Sequence, residues 1–445
     1  MVNSLDKISM KVEPPGPEAQ KIIERDKKYM GTMNKVMPVV GLRGKGLYVE
    51  DVDGNVYLDF LSGIAVNNLG HCPPPVVKAV QDQVAKLIHF PGILCSQSLE
   101  GQLAEELNKI VPGDFTKKTY FTCTGCNAID SAIKVSRWAT KRPRNIAFQG
   151  AFHGKSIGAL SLTCSKNAYR KGFMPEMPGV THVPYAYCYR CPYKMEYPSC
   201  DVYCAKFIDE TILEHVVPPE EVAAIFLEPI QGEGGYIVPP KQWHKEIRKI
   251  CDKHGIMEIA DEVQSGFGRT GKWFAIEHFD VVPDGIAMAK GIASGMPMSA
   301  FVFNEKYDIK QPGAHATTFA GNLVTTAASL ATIKMFRDEK VLENAAKQGA
   351  YLLKIENEMK EKYECIGDVR GIGLMTAIEI VKDKKSKIID MDTRNKIVMG
   401  CMKKGLLTLF CGASSIRIIP ALIVNQAQID TAMQIVDEQI KLATK

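Results

Sequence analysis

The chain predicts an α/β fold, in which a mostly parallel sheet covered by helices forms a large domain and the two chain ends build a small α+β domain. Two observations carry this. From about Val76 to Leu330, helical patterns alternate with short β-rich runs at Lys118 to Thr122, Asn145 to Phe148, Ala223 to Leu227 and Ala300 to Phe303, the signature of a sheet layered between helices. The run Ile256, Met257, Ile259, Ala260 breaks off at Asp261-Glu262, as a buried parallel strand does on reaching the carboxyl edge of an open sheet. At 445 residues, 46% hydrophobic and 24% charged, the chain can bury sizeable cores over two or three domains.

Taken in order, residues 1–75 hold an irregular leader around Pro14-Pro15 and a strand-turn-strand from Leu47 to Leu58 about Asp53-Gly54, and belong to the small domain. Residues 76–330 are the large domain. In it, Ala128, Ile129, Ala132, Ile133 and Trp138 recur at mostly three- to five-residue spacing, so a helix begins just after Gly125. Residues 331–445 complete the small domain. The C-terminal elements are helices at Ala327 to Asp338 and Val341 to Tyr363, a strand at Ile372 to Val381 and a closing helix from Ala427.

Composition excludes some classes of function. The net charge of +5 is spread along the chain without a long Lys/Arg run, so a nucleic-acid partner is not expected. No apolar run approaches membrane-spanning length, and the first twenty residues hold no apolar signal core. A cytoplasmic protein with no membrane partner is the expectation. Of 13 cysteines, four cluster as Cys188-Tyr-Arg-Cys191, Cys200 and Cys204 in a Pro- and Tyr-rich insert. They could hold zinc or an iron–sulfur cluster, form disulfides, or stay free.

The chemistry concentrates between Ile256 and Lys290, where an acid, a guanidinium and a lysine lie between two apolar runs. Asp261 ends the first run and Lys290 ends the second, and ligands bind where parallel strands end. A lysine amine in apolar surroundings loses its charge and becomes a nucleophile able to form a Schiff base. A carboxylate opposite it suits a pyridine nitrogen, which it keeps protonated. Together they suggest pyridoxal phosphate, although Asp261 and Glu262 could also merely end a strand while Lys290 snorkels. A phosphate cradle is available at Thr124, Gly125 and Cys126, where the helix presents free N–H groups. Thr124 or Asn127 could equally be an ordinary N-cap.

This segment closely resembles the signature of the class-III, fold-type-I pyridoxal-phosphate aminotransferases. Four other blocks resemble that family in order: GLYVEDVDGNVYLDFLSGIAVNNLGH, AFHGKSIGALSLT, AIFLEPIQGEGGY and TTFAGN. The resemblance implies a mostly parallel seven-stranded sheet, pyridoxal 5'-phosphate as cofactor, and amino acid and 2-oxo acid substrates. Position by position it implies that Lys290 bonds the cofactor and acts as base, Asp261 meets the pyridine nitrogen, and Gln264 lies near the phenolic oxygen. Phe152 and His153 would give the ring an aromatic face. Thr318 would reach the phosphate of a partner subunit, which implies a homodimer with shared sites, or a tetramer of such dimers.

The same resemblance separates possible reactions. In members that alternate between an ω-amine donor and glutamate, a Glu in the EPIQGEGG block pairs with a C-terminal Arg that is released when an α-carboxylate arrives; the matching residues here are Glu233 and Arg417. That pair is a switch, or a static link between domains. Lys155 stands where several ω-amino-acid transaminases have arginine, and lysine lacks the bidentate fork. The run Gly125-Cys126-Asn127 departs from the acidic pattern of common relatives. This altered loop and the cysteine insert resemble a branch, found largely in archaea, that includes broad-specificity amino-acid racemases and epimerases. The expectation is an aminotransferase near the 4-aminobutyrate and ornithine enzymes, with a racemase as the alternative. A catalytically silent binding or redox-sensing protein is a third reading.

Overall fold

The computed structural model describes residues 5–33 and 35–445; Met1–Ser4, where the expected leader begins, and Asn34 lie outside the described residues. The leader is not irregular throughout. A charged helix, Pro17–Tyr29, follows Pro14-Pro15, with proline in its first turn, where the missing N–H costs nothing. Three strands come next, β1 (Gly41–Lys45), β2 (Tyr48–Asp51) and β3 (Val56–Asp59). β2 and β3 are the expected strand-turn-strand, and Gly54 supplies the left-handed residue at φ +83°.

The central sheet has seven strands: β4 (Lys117–Thr122), β5 (Arg144–Phe148), β6 (Val180–Val183), β7 (Val222–Leu227), β8 (Met257–Asp261), β9 (Gly285–Met288) and β10 (Ser299–Asn304). Their spatial order is β4-β10-β9-β8-β7-β5-β6. The strands β6, β5, β7, β8 and β9 are parallel, while β10 runs antiparallel between β9 and β4. Every residue of β7, β8 and β9 is buried, which is why these runs read as continuous apolar segments rather than alternating ones.

Five further strands follow: β11 (Ile366–Ile372), β12 (Met375–Ile380), β13 (Leu406–Leu407), β14 (Leu409–Cys411) and β15 (Ser415–Ile418). They enter two four-stranded sheets, β1-β2-β3-β13 and β11-β12-β15-β14. β13 pairs in parallel with β3, Leu406 opposite Leu58, so the two chain ends share a sheet. The strand expected at Ile372 to Val381 is one arm of a hairpin. Gly373, at φ +58°, turns the chain, and the half-exposed β11 forms the other arm. The C-terminal helices run Leu323–Asp338, Val341–Lys362 and Gln426–Ala443, the last opened by a capping box between Asn425 and Gln428.

Parallel strands send their carboxyl ends to one edge of the sheet. Thr124, Phe152-His153, Glu228, Asp261 and Lys290 lie at or shortly after the ends of β4, β5, β7, β8 and β9, the position where open α/β sheets bind ligands. The guanidinium of the Ile256–Lys290 segment does not join them. Arg269 is fully buried and donates to Leu374 O (3.1 Å), Pro420 O (2.5 Å), Ser62 Oγ (3.3 Å) and Asn68 Oδ1 (2.7 Å). It links the segment to both chain ends, and burial pushes its pKa down to about 10.

Candidate active site

A cavity of about 350 Å³ opens at this edge, lined among others by Thr124, Gly125, Cys126, Phe152, His153, Glu228, Asp261, Gln264 and Lys290. Its size is that of a small-molecule site. Eight of the nine residues expected to serve the cofactor therefore line one space; Thr318, the ninth, is exposed on its own chain and is not part of that lining.

Lys290 leaves β9 with its backbone at φ +47°, a left-handed conformation that is costly for a residue with a side chain and that persists only where the surroundings impose it. Burial pushes its amine down to about 8 against the opposing charge of Asp261, with Arg417 adding to the downward pull. Ala289, Val263, Met296, Pro297 and Met298 share its cavity, and that apolar wall is the source of the desolvation.

Asp261 closes β8, and its two oxygens have different partners. Oδ2 is 2.7 Å from His153 Nδ1, and Oδ1 accepts from Val263 N at 3.0 Å. His153 has no exposed side-chain surface. Burial alone would lower its pKa, but the bond and charge of Asp261, helped by Glu228, raise it above the ordinary value. Phe152 and His153 both line the cavity, His153 bound through Nδ1 to Asp261 and Phe152 half-buried and edge-on to Tyr169 at 5.5 Å. Gln264 Oε1 accepts from Tyr236 OH at 2.7 Å, which fixes the amide.

The helix Gly125–Thr140 begins at the cavity with Thr124 as N-cap, its Oγ1 3.4 Å from Asn127 N and 2.9 Å from Asn127 Oδ1. The N-cap reading of this turn is the one seen, and it is compatible with a cradle, because capping Asn127 leaves the first-turn N–H groups of Gly125 and Cys126 free of that bond. Cys126 Sγ accepts from Lys155 N at 3.3 Å.

Glu233 and Arg417 form the expected pair, Arg417 Nη2 to Glu233 Oε2 at 2.7 Å, with Arg417 also donating to Phe410 O at 2.9 Å. Glu233 has further partners on its other oxygen: Lys166 Nζ at 2.5 Å and Tyr169 OH at 3.2 Å. Against its burial, Arg417 and Lys166 hold it below the usual carboxylate range. Lys155 does not line the cavity; its Nζ stands over the Tyr169 ring at 4.3 Å.

Glu228 also lines the cavity, and its local signal is present in the sequence. It ends the apolar run AIFL as Asp261 ends its own. It accepts from Phe152 N (2.8 Å) and Gly232 N (2.7 Å), and burial pushes it up to about 7. The four clustered cysteines line a separate cavity of about 20 Å³ beside Tyr193 and Tyr203. They are all free thiols, and among the described residues no group of three or more His, Cys, Asp or Glu side chains is arranged to hold a metal. Burial, reinforced by the neighbouring thiols, pushes Cys204 up to about 12.

Residues 29–440 match the family Aminotransferase class-III. The chain belongs to the class-III aminotransferases. Similarity within the family spans different reactions. The chain is 40% identical to an alanine/serine racemase from Pyrococcus horikoshii over 97% of its own length and 92% of the relative's. It is also 40% identical to the 4-aminobutyrate aminotransferase of Escherichia coli, over 91% and 94%. Its fold matches that of a taurine:2-oxoglutarate aminotransferase from Bifidobacterium kashiwanohense, solved with pyridoxal phosphate and glutamate, at a TM-score of 0.89 and 27% identity, over 95% and 98% of the two chains. Class-III aminotransferases use pyridoxal phosphate, and the donor set here fits it: a buried acid for a ring nitrogen, an amide for a phenolic oxygen, a helix N-terminus for a phosphate and a lysine of lowered pKa for an aldehyde. Among the described residues no helix is long and apolar enough to cross a membrane.

Proposed function

We propose that the protein transfers an amino group from an ω-amino or broad-range amino acid, of the 4-aminobutyrate or ornithine type, to a 2-oxo acid such as 2-oxoglutarate. The observation that carries this reading is the Glu233–Arg417 pair at 2.7 Å. Arg417 is the group that binds an α-carboxylate, and Glu233 holds it when an ω-amine without one is in the site.

The residues around the cavity have these roles. Gly125 and Cys126 N–H groups, with Thr124, hold the phosphate, Gln264 the phenolic oxygen, and Phe152 packs on the ring. Asp261, oriented by His153, keeps the ring nitrogen protonated. Pyridoxal phosphate, when bound, supplies the sink for the electron pair left as a Cα–H bond breaks. Lys290 Nζ takes that proton, and its pKa of about 8 makes it an effective base near neutral pH. Thr318 completes the phosphate site of a partner subunit, so the working unit is a homodimer. We place the enzyme in the cytoplasm, with residues 76–330 as the cofactor domain and 1–75 with 331–445 as the small domain.

The similarity to an alanine/serine racemase favours a second reading, the return of the proton to the opposite face of Cα. A second base facing Lys290 would favour that outcome. The three carboxylates whose charges act on Lys290 are Asp261, Glu228 and Glu233, and all three are engaged: with His153, with two backbone N–H groups, and with Lys166 and Arg417. Their engagement supports transamination. Arg417→Ala tests the reading: the apparent affinity for α-amino and 2-oxo acids should fall about thirtyfold, the scale of losing a charge-assisted contact of roughly 2 kcal/mol. Unchanged affinity would remove it.

A further inference from the structure

The carboxylate of Glu233 is shared between two cations, and only one of them belongs to the proposed substrate switch. Arg417 holds Oε2, while Lys166 and Tyr169 hold Oε1. The side chains of Glu233 and Arg417 are 14% and 3% exposed, so a Glu233 with no cation would be a buried, unpaired charge, whereas Lys166 at 32% reaches it from the rim. A single-partner switch faces that cost in full each time the arginine swings to a substrate carboxylate.

Resting on the α-carboxylate role of Arg417 proposed above, we infer that Lys166 is a positioning residue that keeps Glu233 paired when Arg417 leaves it, and so sets the balance between α-carboxylate and carboxylate-free substrates. The placement of Lys166 suits this. Its Nζ lies 5.6 Å from the Tyr169 ring centroid and 5.9 Å from that of Phe410, whose carbonyl also receives Arg417, so two aromatic rings flank the ammonium beside the carboxylate. The segment is pinned just before it, with Cys164 N donating to Ala151 O at 2.8 Å and Gly150 N to Cys164 O at 3.1 Å. Lys166 therefore approaches Glu233 from a segment hydrogen-bonded to the backbone just before Phe152, while Arg417 approaches from β15 of the small sheet. One cation can leave without moving the other. No covalent step is involved.

In the closed state of a Lys166→Gln variant, Glu233 keeps Arg417; in the open state it keeps only the Tyr169 hydroxyl. The loss falls on ligands that draw Arg417 away. The experiment measures, on the holoenzyme, the dissociation constant of 2-oxoglutarate, which has no amino group to give, by calorimetry, and the binding of n-butylamine, which has no carboxylate, by the absorbance change of the bound cofactor. Lys166→Gln should weaken 2-oxoglutarate about tenfold, less than for a fully buried pair because Lys166 is partly exposed, and leave n-butylamine within about twofold. Lys166→Arg should restore 2-oxoglutarate binding, and Lys166→Gln placed on Glu233→Gln should have no further effect, since no charge remains to be held.

A pH series gives a readout that a general packing defect would not move. The groups facing Glu233 are Lys166, Tyr169, Arg417, Lys290 and the Cys411 thiol. In Lys166→Gln the freed carboxylate takes up a proton as Arg417 departs, so 2-oxoglutarate binding should strengthen as pH falls from about 8 to 6, while the parent enzyme shows less dependence. If Lys166→Gln weakens both ligands alike, or neither, while Arg417→Ala weakens 2-oxoglutarate, the inference is overturned and the switch stands. If Arg417→Ala leaves 2-oxoglutarate unaffected, the switch itself falls and the role of Lys166 falls with it.

Discussion

The reactivity of Lys290 is the property on which the chemistry depends, and its cause can be tested in the cofactor-free protein. With a pKa of about 8 rather than 10.5, roughly one amine in ten is neutral at pH 7, against about one in three thousand for an ordinary lysine, a gain of roughly 300-fold in nucleophilic form. Burial is the largest cause, Asp261 opposes it and Arg417 assists it. Substituting each neighbour therefore has a predicted sign: Asp261→Asn moves the midpoint further down and Arg417→Ala moves it up. Reductive methylation with ¹³C-formaldehyde, followed by NMR titration, reads each lysine separately, and the Lys290 signal is the one missing from Lys290→Met. A midpoint near 8, with the exposed lysines near 10, is the expected result. A Lys290 midpoint near 10.5, or an upward shift in Asp261→Asn, would refute the claim that the apolar cavity activates this amine.

Other outcomes follow from the same geometry. Borohydride treatment of holoenzyme should fix the cofactor to Lys290 alone, read by peptide mass, and Lys290→Ala should retain none. If Thr318 serves the partner's site, mixed dimers of Lys290→Ala and Thr318→Ala should regain about half of the parental activity, because both lesions fall in one site and the other is intact; no recovery would place Thr318 in its own site. Freshly purified, unstripped protein should carry no stoichiometric zinc or iron, and the half-buried Cys204 thiol should react slowly with a thiol reagent at neutral pH because it remains protonated.

The parts of the site visible in the sequence are those delivered by the ends of buried strands. Asp261 and Lys290 each terminate a continuous apolar run, and a hydrophobic run that stops at a charge is readable without any long-range information. Glu228 carried the same signal after AIFL. Contacts made between distant segments were not readable in this way. Lys166 and Tyr169 meet Glu233 across 67 and 64 residues, and nothing local in TCSKNAY points to a carboxylate. Arg269 lies in the middle of the Ile256–Lys290 segment, yet its guanidinium donates to two backbone carbonyls and to the Ser62 and Asn68 side chains rather than entering the cavity. His153 read as an aromatic face because its sequence neighbour is Phe152; its partner, Asp261, lies on another strand. Only the second arm of the hairpin, within Ile372 to Val381, is readable as a strand, because β11 lies half-exposed and carries Asp368 and Arg370, which interrupt the apolar pattern.

Transfer of the amino group, rather than inversion of Cα, is the outcome proposed for the proton that Lys290 removes, since the carboxylates acting on Lys290 are already engaged with other partners. Incubating holoenzyme with a single L-amino acid, with and without 2-oxoglutarate, and separating the enantiomers by chiral chromatography tests it directly. Transamination gives sustained consumption of the amino acid only when the oxo acid is present, with no catalytic build-up of the D-enantiomer. Sustained appearance of the D-enantiomer in the absence of any oxo acid would contradict it.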